Sequence, residues 1–249
     1  MALEPWRTGT VIRIEHETYN TRRFFIKVNE LETFDFKPGQ FVTLDLPIHE
    51  QKNKRWRSYS IASWPDGSNV YELLIVLLES GAGTTYLFNE VEVGSELLFR
   101  GAQGVFTLPE KIEKDLFFIC TGTGIAPFRS MLNYMQLNNT PHENLYLIFG
   151  CRTQKDLLYH EEIKALENKI EKFFYMPTLR REGWDGHKGY VHSLYEEICK
   201  KNNETCEDLQ NLKPASFYLC GWKAMIDDAR KKIIALGYDR KAVHLELYG

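Results

Sequence analysis

The chain has 249 residues, and what it has little of narrows the field first. Its five Cys are an odd number, scattered, with no Cys-x-x-Cys pair. That fits a reducing compartment better than a disulfide framework. It also offers no spacing for a structural zinc and no cysteine cluster for an iron–sulfur centre. No apolar run approaches the roughly 20 residues of a membrane helix, and the first residues lack an apolar signal core. A cytoplasmic protein is therefore expected. The formal net charge of −3 gives no overall pull toward nucleic acid. There is no internal repeat and no low-complexity segment. No Ser/His/Asp set or carboxylate pair suggests hydrolytic chemistry. His16, His49, His142, His160, His187 and His192 show no metal spacing and read as surface residues. Trp6, Trp56, Trp64, Trp184 and Trp222 read as packing.

What is present is an ordinary globular composition, 43% hydrophobic and 26% charged, with length for one large domain or two ordinary ones. The two halves differ in pattern. Up to about residue 108, short strand-like runs (10–15, 22–28, 41–46, 57–62, 71–78 and 96–100) are separated by Gly and Pro. This predicts an antiparallel β-barrel of about six strands, with a short helix over 84–89. After it, apolar runs at 116–120, 145–150, 173–178, 217–220 and 243–247 alternate with helical patterns at 125–137, 159–170, 191–201 and 223–236. Strand alternating with helix predicts an α/β doubly wound parallel sheet of five strands. Gly237 fits the end of the last helix. The expected domains are 1–109 and 110–249, joined by the polar, Pro-containing stretch at 109–113. The polar segment 202–211 reads as an exposed loop or frayed end.

One stretch organises the second half. Phe117 to Cys120 form a buried-strand run, and Thr121-Gly122-Thr123-Gly124-Ile125-Ala126-Pro127 follows. Gly122 and Gly124 admit close backbone approach, and Pro127 suits a first helical turn. The free N–H groups and positive dipole end of the helix favour a phosphate there. Ligands of such sheets bind outside the carboxyl ends of the strands. Arg152, Arg180, Arg181 and Cys220-Gly221 sit at such ends. In the first half, Arg57-Ser58-Tyr59-Ser60 suits a flavin. Arginine supplies a planar fork for a pyrophosphate, tyrosine a flat face, and serine a hydrogen bond to a ring nitrogen.

Arg57-Ser58-Tyr59-Ser60, Gly81-Ala82-Gly83-Thr84, Thr121 to Pro127, Cys220-Gly221 and a terminal aromatic occur in that order. Together they make the chain resemble the ferredoxin–NADP(+) reductase superfamily along essentially its whole length. The resemblance implies an FAD-binding barrel followed by an NAD(P)-binding α/β domain. It implies hydride exchange between nicotinamide and FAD, and single electrons passing between FAD and ferredoxin or flavodoxin. Arg57 then binds the FAD pyrophosphate, with Ser58 beside it, and Tyr59 packs on the flavin. Ser60 bonds near flavin N5. Leu74, Ile75 and Val76 follow the ribityl chain and ring. Gly81, Gly83 and Thr84, with Thr85 as competitor, meet the pyrophosphate, and Thr123 also lies near FAD. Gly122, Thr123, Gly124 and Pro127 meet the nicotinamide nucleotide phosphates. Cys220, Gly221 and Met225 lie by the nicotinamide. Tyr248 is the expected flavin-stacking aromatic, although Gly249 follows it. Glu246 orients the carboxamide, relays protons, or is a surface carboxylate. Ser60, Cys220, Glu246 and Tyr248 are the expected catalytic set.

Arg152, Arg180, Arg181 and Lys188 favour NADPH over NADH if they gather around a 2′-phosphate; otherwise they form a solvated face. Family members often have Ser-Arg where this chain has Arg180-Arg181. Lys52, Lys54, Arg55 and Arg57, with Arg22, Arg23 and Lys37, are either a docking patch for an acidic carrier or a solvated run. Two other readings stand beside the leading one. The first is an NAD(P)H-dependent reductase component of an oxygenase, or a flavin reductase. The second is a non-catalytic nucleotide-binding redox sensor.

Overall fold

The computed structural model describes residues 4–204 and 212–248. Part of the predicted 202–211 loop, and Gly249, lie outside the described residues. The chain divides into two units, Met1–Leu108 with Ala126–Tyr134, and Pro109–Ile125 with Met135–Gly249.

The first unit is built on six antiparallel strands: β1 (Trp6–Thr18), β2 (Thr21–Val28), β3 (Phe41–Asp45), β4 (Trp56–Ser60), β5 (Val70–Val76) and β6 (Glu96–Gln103). Their order is β4-β3-β6-β1-β2-β5. An isolated antiparallel bridge, Ile61 to Leu73, joins the two outer strands and closes the barrel. That is why β4 stops at Ser60, short of the predicted 62: Ile61 leaves one ladder to enter another. Alternation fills the interior with Val11, Phe24, Ile26, Val42, Leu44, Leu73 and Phe99, all fully buried. Helix α1 (Ala82–Asn89) starts two residues before the predicted 84 and buries Leu87.

The second unit is a parallel sheet of β7 (Asp115–Thr121), β8 (Leu145–Cys151), β9 (Phe173–Leu179), β10 (His187–Lys188), β11 (Ala215–Trp222) and β12 (Val243–Tyr248). The order is β10-β9-β8-β7-β11-β12. Five of these are the predicted strands. β10, only two residues long, carries no apolar run that would reveal it. In-register rings cross four strands: Phe174 on Tyr146 at 5.1 Å, Tyr146 on Phe117 at 4.6 Å, and Phe117 on Phe217 at 4.9 Å. Helix α4 (Val191–Asn202) buries Val191, Leu194, Tyr195 and Cys199, and α5 (Lys223–Ala235) buries Ile226, Ala229 and Ile233. Both are the one-sided stripes of surface helices. Gly237, at φ +97°, follows α5 and donates to the Ile234 carbonyl at 3.0 Å. Helix α3 (His160–Leu166) ends a turn earlier than predicted. The Glu167 side chain accepts from the Tyr175 N–H at 2.8 Å, and this turns the chain into β9.

The sheet's direction of winding reverses at β7. The chain goes to β8 on one side and later to β11 on the other. Such a switch point is where an open parallel sheet accepts a ligand. The Gly-rich stretch follows β7 as a 3-10 turn (Gly122–Ile125) that runs into α2 (Ala126–Leu137). Among the described residues, no helix is long and apolar enough to cross a membrane.

Candidate functional site

In the first unit the structure brings Arg57 to the start of α1. A Cβ on Gly83 would stand 2.9 Å from the Arg57 Cγ, so glycine is what lets the arginine lie across the helix start. Arg57 Nη1 donates to the carbonyls of Lys54 at 3.0 Å and Trp56 at 2.8 Å. The guanidinium is thereby held in place beside the positive end of the helix dipole, an anion cradle of two independent parts. Gly81 is the residue that caps α1. The Thr84 hydroxyl is already engaged: it accepts from the Leu78 N–H at 3.1 Å and donates to the Gly81 carbonyl at 3.1 Å. It locks the turn.

Tyr59 packs against the barrel core, and burial pushes its phenol up to about 12, with Arg57 opposing. Ser60 is buried at the end of β4. Ser58 lies on the strand face opposite Tyr59 and pairs with the Thr43 hydroxyl at 3.0 Å. Leu74 and Ile75 are buried and Val76 is half-buried on β5, an outer strand of the sheet order. Beyond the Ile61–Leu73 bridge, one backbone edge of these residues lies outside the ladder.

In the second unit the glycines serve different ends. Gly122 takes φ +55° in open space, so conformation requires it. Gly124 is required by contact, because a Cβ there would stand 2.4 Å from the Cys220 carbonyl oxygen. Gly221, at φ +148°, leaves room that a Cβ would fill, 2.6 Å from Thr121 Oγ1 and 3.1 Å from Met225 Cε. Thr121 Oγ1 is itself buried without a hydrogen-bond partner among the described residues. An orphaned hydroxyl costs about 1–3 kcal/mol, which a polar ligand group in this cradle would recover. Thr123 lies in the same 3-10 turn, and Pro127 in the first turn of α2.

Cys220, Glu246 and Tyr248 also come together, because Cys220 is in register with Glu246 on β12, and Trp222 with Tyr248. Burial drives the Cys220 thiol well above its ordinary range. The Glu246 carboxylate pushes the same way, and a hydrogen bond with Tyr248 opposes. The thiol is therefore a neutral packing group and not a nucleophile. Ser60, the fourth expected catalytic residue, belongs to the first unit.

The four predicted cations fall on neighbouring strand ends. The N–H of Arg181 donates to the Arg152 carbonyl at 2.9 Å, that of Arg180 to the Cys151 carbonyl at 3.1 Å, and Lys188 is in register with Leu179. All four are exposed, and none forms a salt bridge among the described residues. Arg180 lies over the Tyr190 ring at 5.3 Å, an aromatic partner the sequence pattern did not single out.

The proposed basic patch shrinks. Arg55 is tied to Asp45 at 2.7 Å, Arg23 to Glu72 at 2.7 Å and Glu15 at 3.2 Å, and Arg22 donates to the Phe88 carbonyl at 2.9 Å. Lys52, Lys54 and Lys37 remain exposed. Adjacent cations in sequence suggest a surface, but Arg22 and Arg23 are used by Phe88 and Glu72, which are distant in sequence. Arg129 and Glu72 were missed for the same reason, since a buried ion pair between residues 57 positions apart leaves no local signal.

Comparison with known proteins identifies the family. Residues 8–108 match the family model for an oxidoreductase FAD-binding domain, and residues 118–231 that for an oxidoreductase NAD-binding domain. The chain is 35% identical over 224 residues to ferredoxin–NADP reductase B of Sorangium cellulosum, covering 87% of each chain. It is 33% identical over 200 residues to the anthranilate 1,2-dioxygenase electron transfer component of Acinetobacter baylyi, covering 79% of this chain and 53% of that protein. A crystal structure of a ferredoxin NADP+ reductase from Neisseria gonorrhoeae with bound FAD and NADP shares the fold. The TM-score is 0.78 at 24% identity, over 97% of this chain and 98% of that one. Fold and site thus define an oxidoreductase that binds FAD and a pyridine nucleotide. The chain belongs to the ferredoxin–NADP(+) reductase superfamily.

Proposed function

We propose that the protein exchanges hydride between NADPH and FAD and passes single electrons between FAD and a ferredoxin or flavodoxin. The observation that carries this reading is the pair of cradles, one at Arg57 and Gly83, the other at Thr121, Gly124 and Gly221. Each is built where a Cβ would obstruct it. FAD, when bound, supplies the chemistry that links a two-electron hydride donor to a one-electron carrier. The chain's own residues bind and orient. Arg57, the start of α1 and Thr85 hold a pyrophosphate, Tyr59 offers its ring, and Ser60 a hydroxyl. Thr121 and the glycines around it seat a polar group of the nicotinamide nucleotide, with Cys220, Glu246 and Tyr248 shaping that seat. Arg152, Arg180, Arg181 and Lys188 favour NADPH, because unpaired cations suit a 2′-phosphate.

Anaerobic stopped-flow absorbance of the FAD-loaded protein tests this. NADPH is expected to bleach the flavin at lower concentration than NADH. Arg181→Ala is expected to raise the half-saturating NADPH concentration roughly 10-fold while leaving that for NADH nearly unchanged. Equal loss for both nucleotides would remove the 2′-phosphate assignment, and a flavin bleached by neither would remove the activity. The 33% identity to an oxygenase electron transfer component favours a second reading, a reductase for an oxygenase system. Parallel assays with ferredoxin, flavodoxin and an oxygenase ferredoxin as acceptors separate the two.

A further inference from the structure

A buried charge network lies apart from both cradles and has no part in the chemistry assigned so far. At its centre are Glu72 on β5 and Arg129 in α2, with side-chain exposures of 3% and 4%. Arg129 Nη1 donates to Glu72 Oε2 at 2.9 Å and to the Ala62 carbonyl at 2.9 Å. Its guanidinium also lies 5.3 Å from the centre of the Trp64 ring. Glu72 is held from the other side by Arg23, whose Nε and Nη2 donate to Oε1 and Oε2 at 2.7 and 3.1 Å. Arg23 in turn meets Glu15 at 3.2 Å. The Ala62 N–H donates to the Glu72 carbonyl at 2.8 Å, and the Glu72 N–H to Ser63 Oγ at 3.0 Å.

The placement of these partners is what matters. Glu72 lies two residues before Leu74, where the strand assigned to the flavin begins. Ala62 lies two residues after Ser60. Arg129 lies five residues after Gly124, in the first half of α2, which groups with the barrel. One guanidinium therefore fastens the segment leaving Ser60 and the strand carrying Leu74–Val76 to the helix that leaves the Gly-rich turn. A buried ion pair is a poor way to gain stability alone, since an apolar pair of similar volume does as well or better. It does impose direction, because a planar fork with three fixed partners admits one orientation.

We propose that Arg129 and Glu72 are a positioning pair for the hydride step. In this assignment they fix the first turn of α2 against the segment leaving Ser60 and against β5, so that Ser60 and Leu74–Val76 are held in one orientation toward the flavin. This rests on the function proposed above. Neither residue is assigned contact with substrate or cofactor. An orientation error of about 1 Å is enough to cost roughly 100-fold in rate.

The test compares the FAD-loaded wild type with Glu72→Gln, Arg129→Lys and the double variant Glu72→Gln/Arg129→Gln. Glu72→Gln keeps the shape with one acceptor oxygen in place of two, and the double variant removes Arg129's buried positive charge together with the negative charge of Glu72, so no unpaired charge remains at their contact. In stopped-flow at saturating NADPH, each variant is expected to reduce its flavin at least about 10-fold more slowly. FAD content and the half-saturating NADPH concentration are expected to stay within about threefold of wild type. The double variant should be no slower than the worse single one, since both lose one shared interaction. Independently of turnover, amide exchange over residues 61–64 and 72–76 should accelerate in the variants while the rest of the barrel keeps its protection. Wild-type rates with a lowered unfolding temperature would make the pair merely structural and overturn the inference, as would strictly multiplicative losses in the double variant. If the wild type itself is bleached by neither nucleotide, the proposed function fails instead.

Discussion

At the scale of single residues, several side chains do something other than their type suggests. Thr84 sits where a phosphate ligand is expected, yet its hydroxyl is committed to Leu78 and Gly81. Cys220 sits beside a carboxylate and a tyrosine, yet burial keeps it a neutral thiol. Tyr71 is fully buried among Phe34 and Phe99, with ring centroids at 5.3 and 5.1 Å, and its hydroxyl has no hydrogen-bond partner among the described residues. Tyr71→Phe removes that orphaned group and keeps the rings. It should raise the unfolding free energy by about 0.5–1 kcal/mol in urea titrations. A loss of 1 kcal/mol or more would mean that the hydroxyl has a partner in solution.

At the scale of elements, the parallel sheet is held by register as much as by hydrophobicity. Phe174, Tyr146, Phe117 and Phe217 stack because β9, β8, β7 and β11 pair without a slip at these positions. Phe117 has a ring on each side and is 1% exposed. Phe117→Ala should lower the unfolding free energy by about 3–5 kcal/mol, the range for deleting a buried aromatic. Urea unfolding monitored by far-ultraviolet circular dichroism checks this. A cost below 1.5 kcal/mol would show that the neighbouring rings collapse into the gap. β7 was legible as a run of buried apolar residues. Its ring ladder was not, since it depends on which strands become neighbours.

At the scale of the whole molecule, burial of weak acids sets the alkaline limit. The thiols of Cys120 and Cys220 are pushed well above their usual range by burial, and those of Cys151 and Cys199 to about 12. The Tyr59 and Tyr218 phenols rise to about 12 for the same reason. In the unfolded chain thiols ionise near about 8.5 and phenols near about 10. Between those values and the folded ones, the folded state holds more protons, so stability falls as pH rises. Below about pH 7 nearly all are protonated in both states and contribute almost no pH dependence. The urea midpoint should therefore be insensitive to these groups from pH 6 to 7 and decline steadily from pH 9 to 11. A midpoint level to pH 11 would show the thiols ionising in place.

The sequence by itself determined the two kinds of secondary structure, the change from one to the other near residue 108, and the family. Those follow from local periodicity and from motifs whose residues are close together in the chain. Gly122, Gly124 and Arg57-Ser58-Tyr59-Ser60 could be picked out without a fold, because a tight backbone approach or a planar cation leaves its mark within a few positions. Only the tertiary structure decided that Arg55, Arg23 and Arg22 are bound inward and not displayed, that Thr121 is left unsatisfied beside Gly221, and that Arg129 closes on Glu72. Most of those depend on a partner dozens of residues away, as Arg22 does on Phe88, Arg23 on Glu72 and Arg129 on Glu72, and pairing energy at a distance in sequence leaves no pattern until the chain has folded.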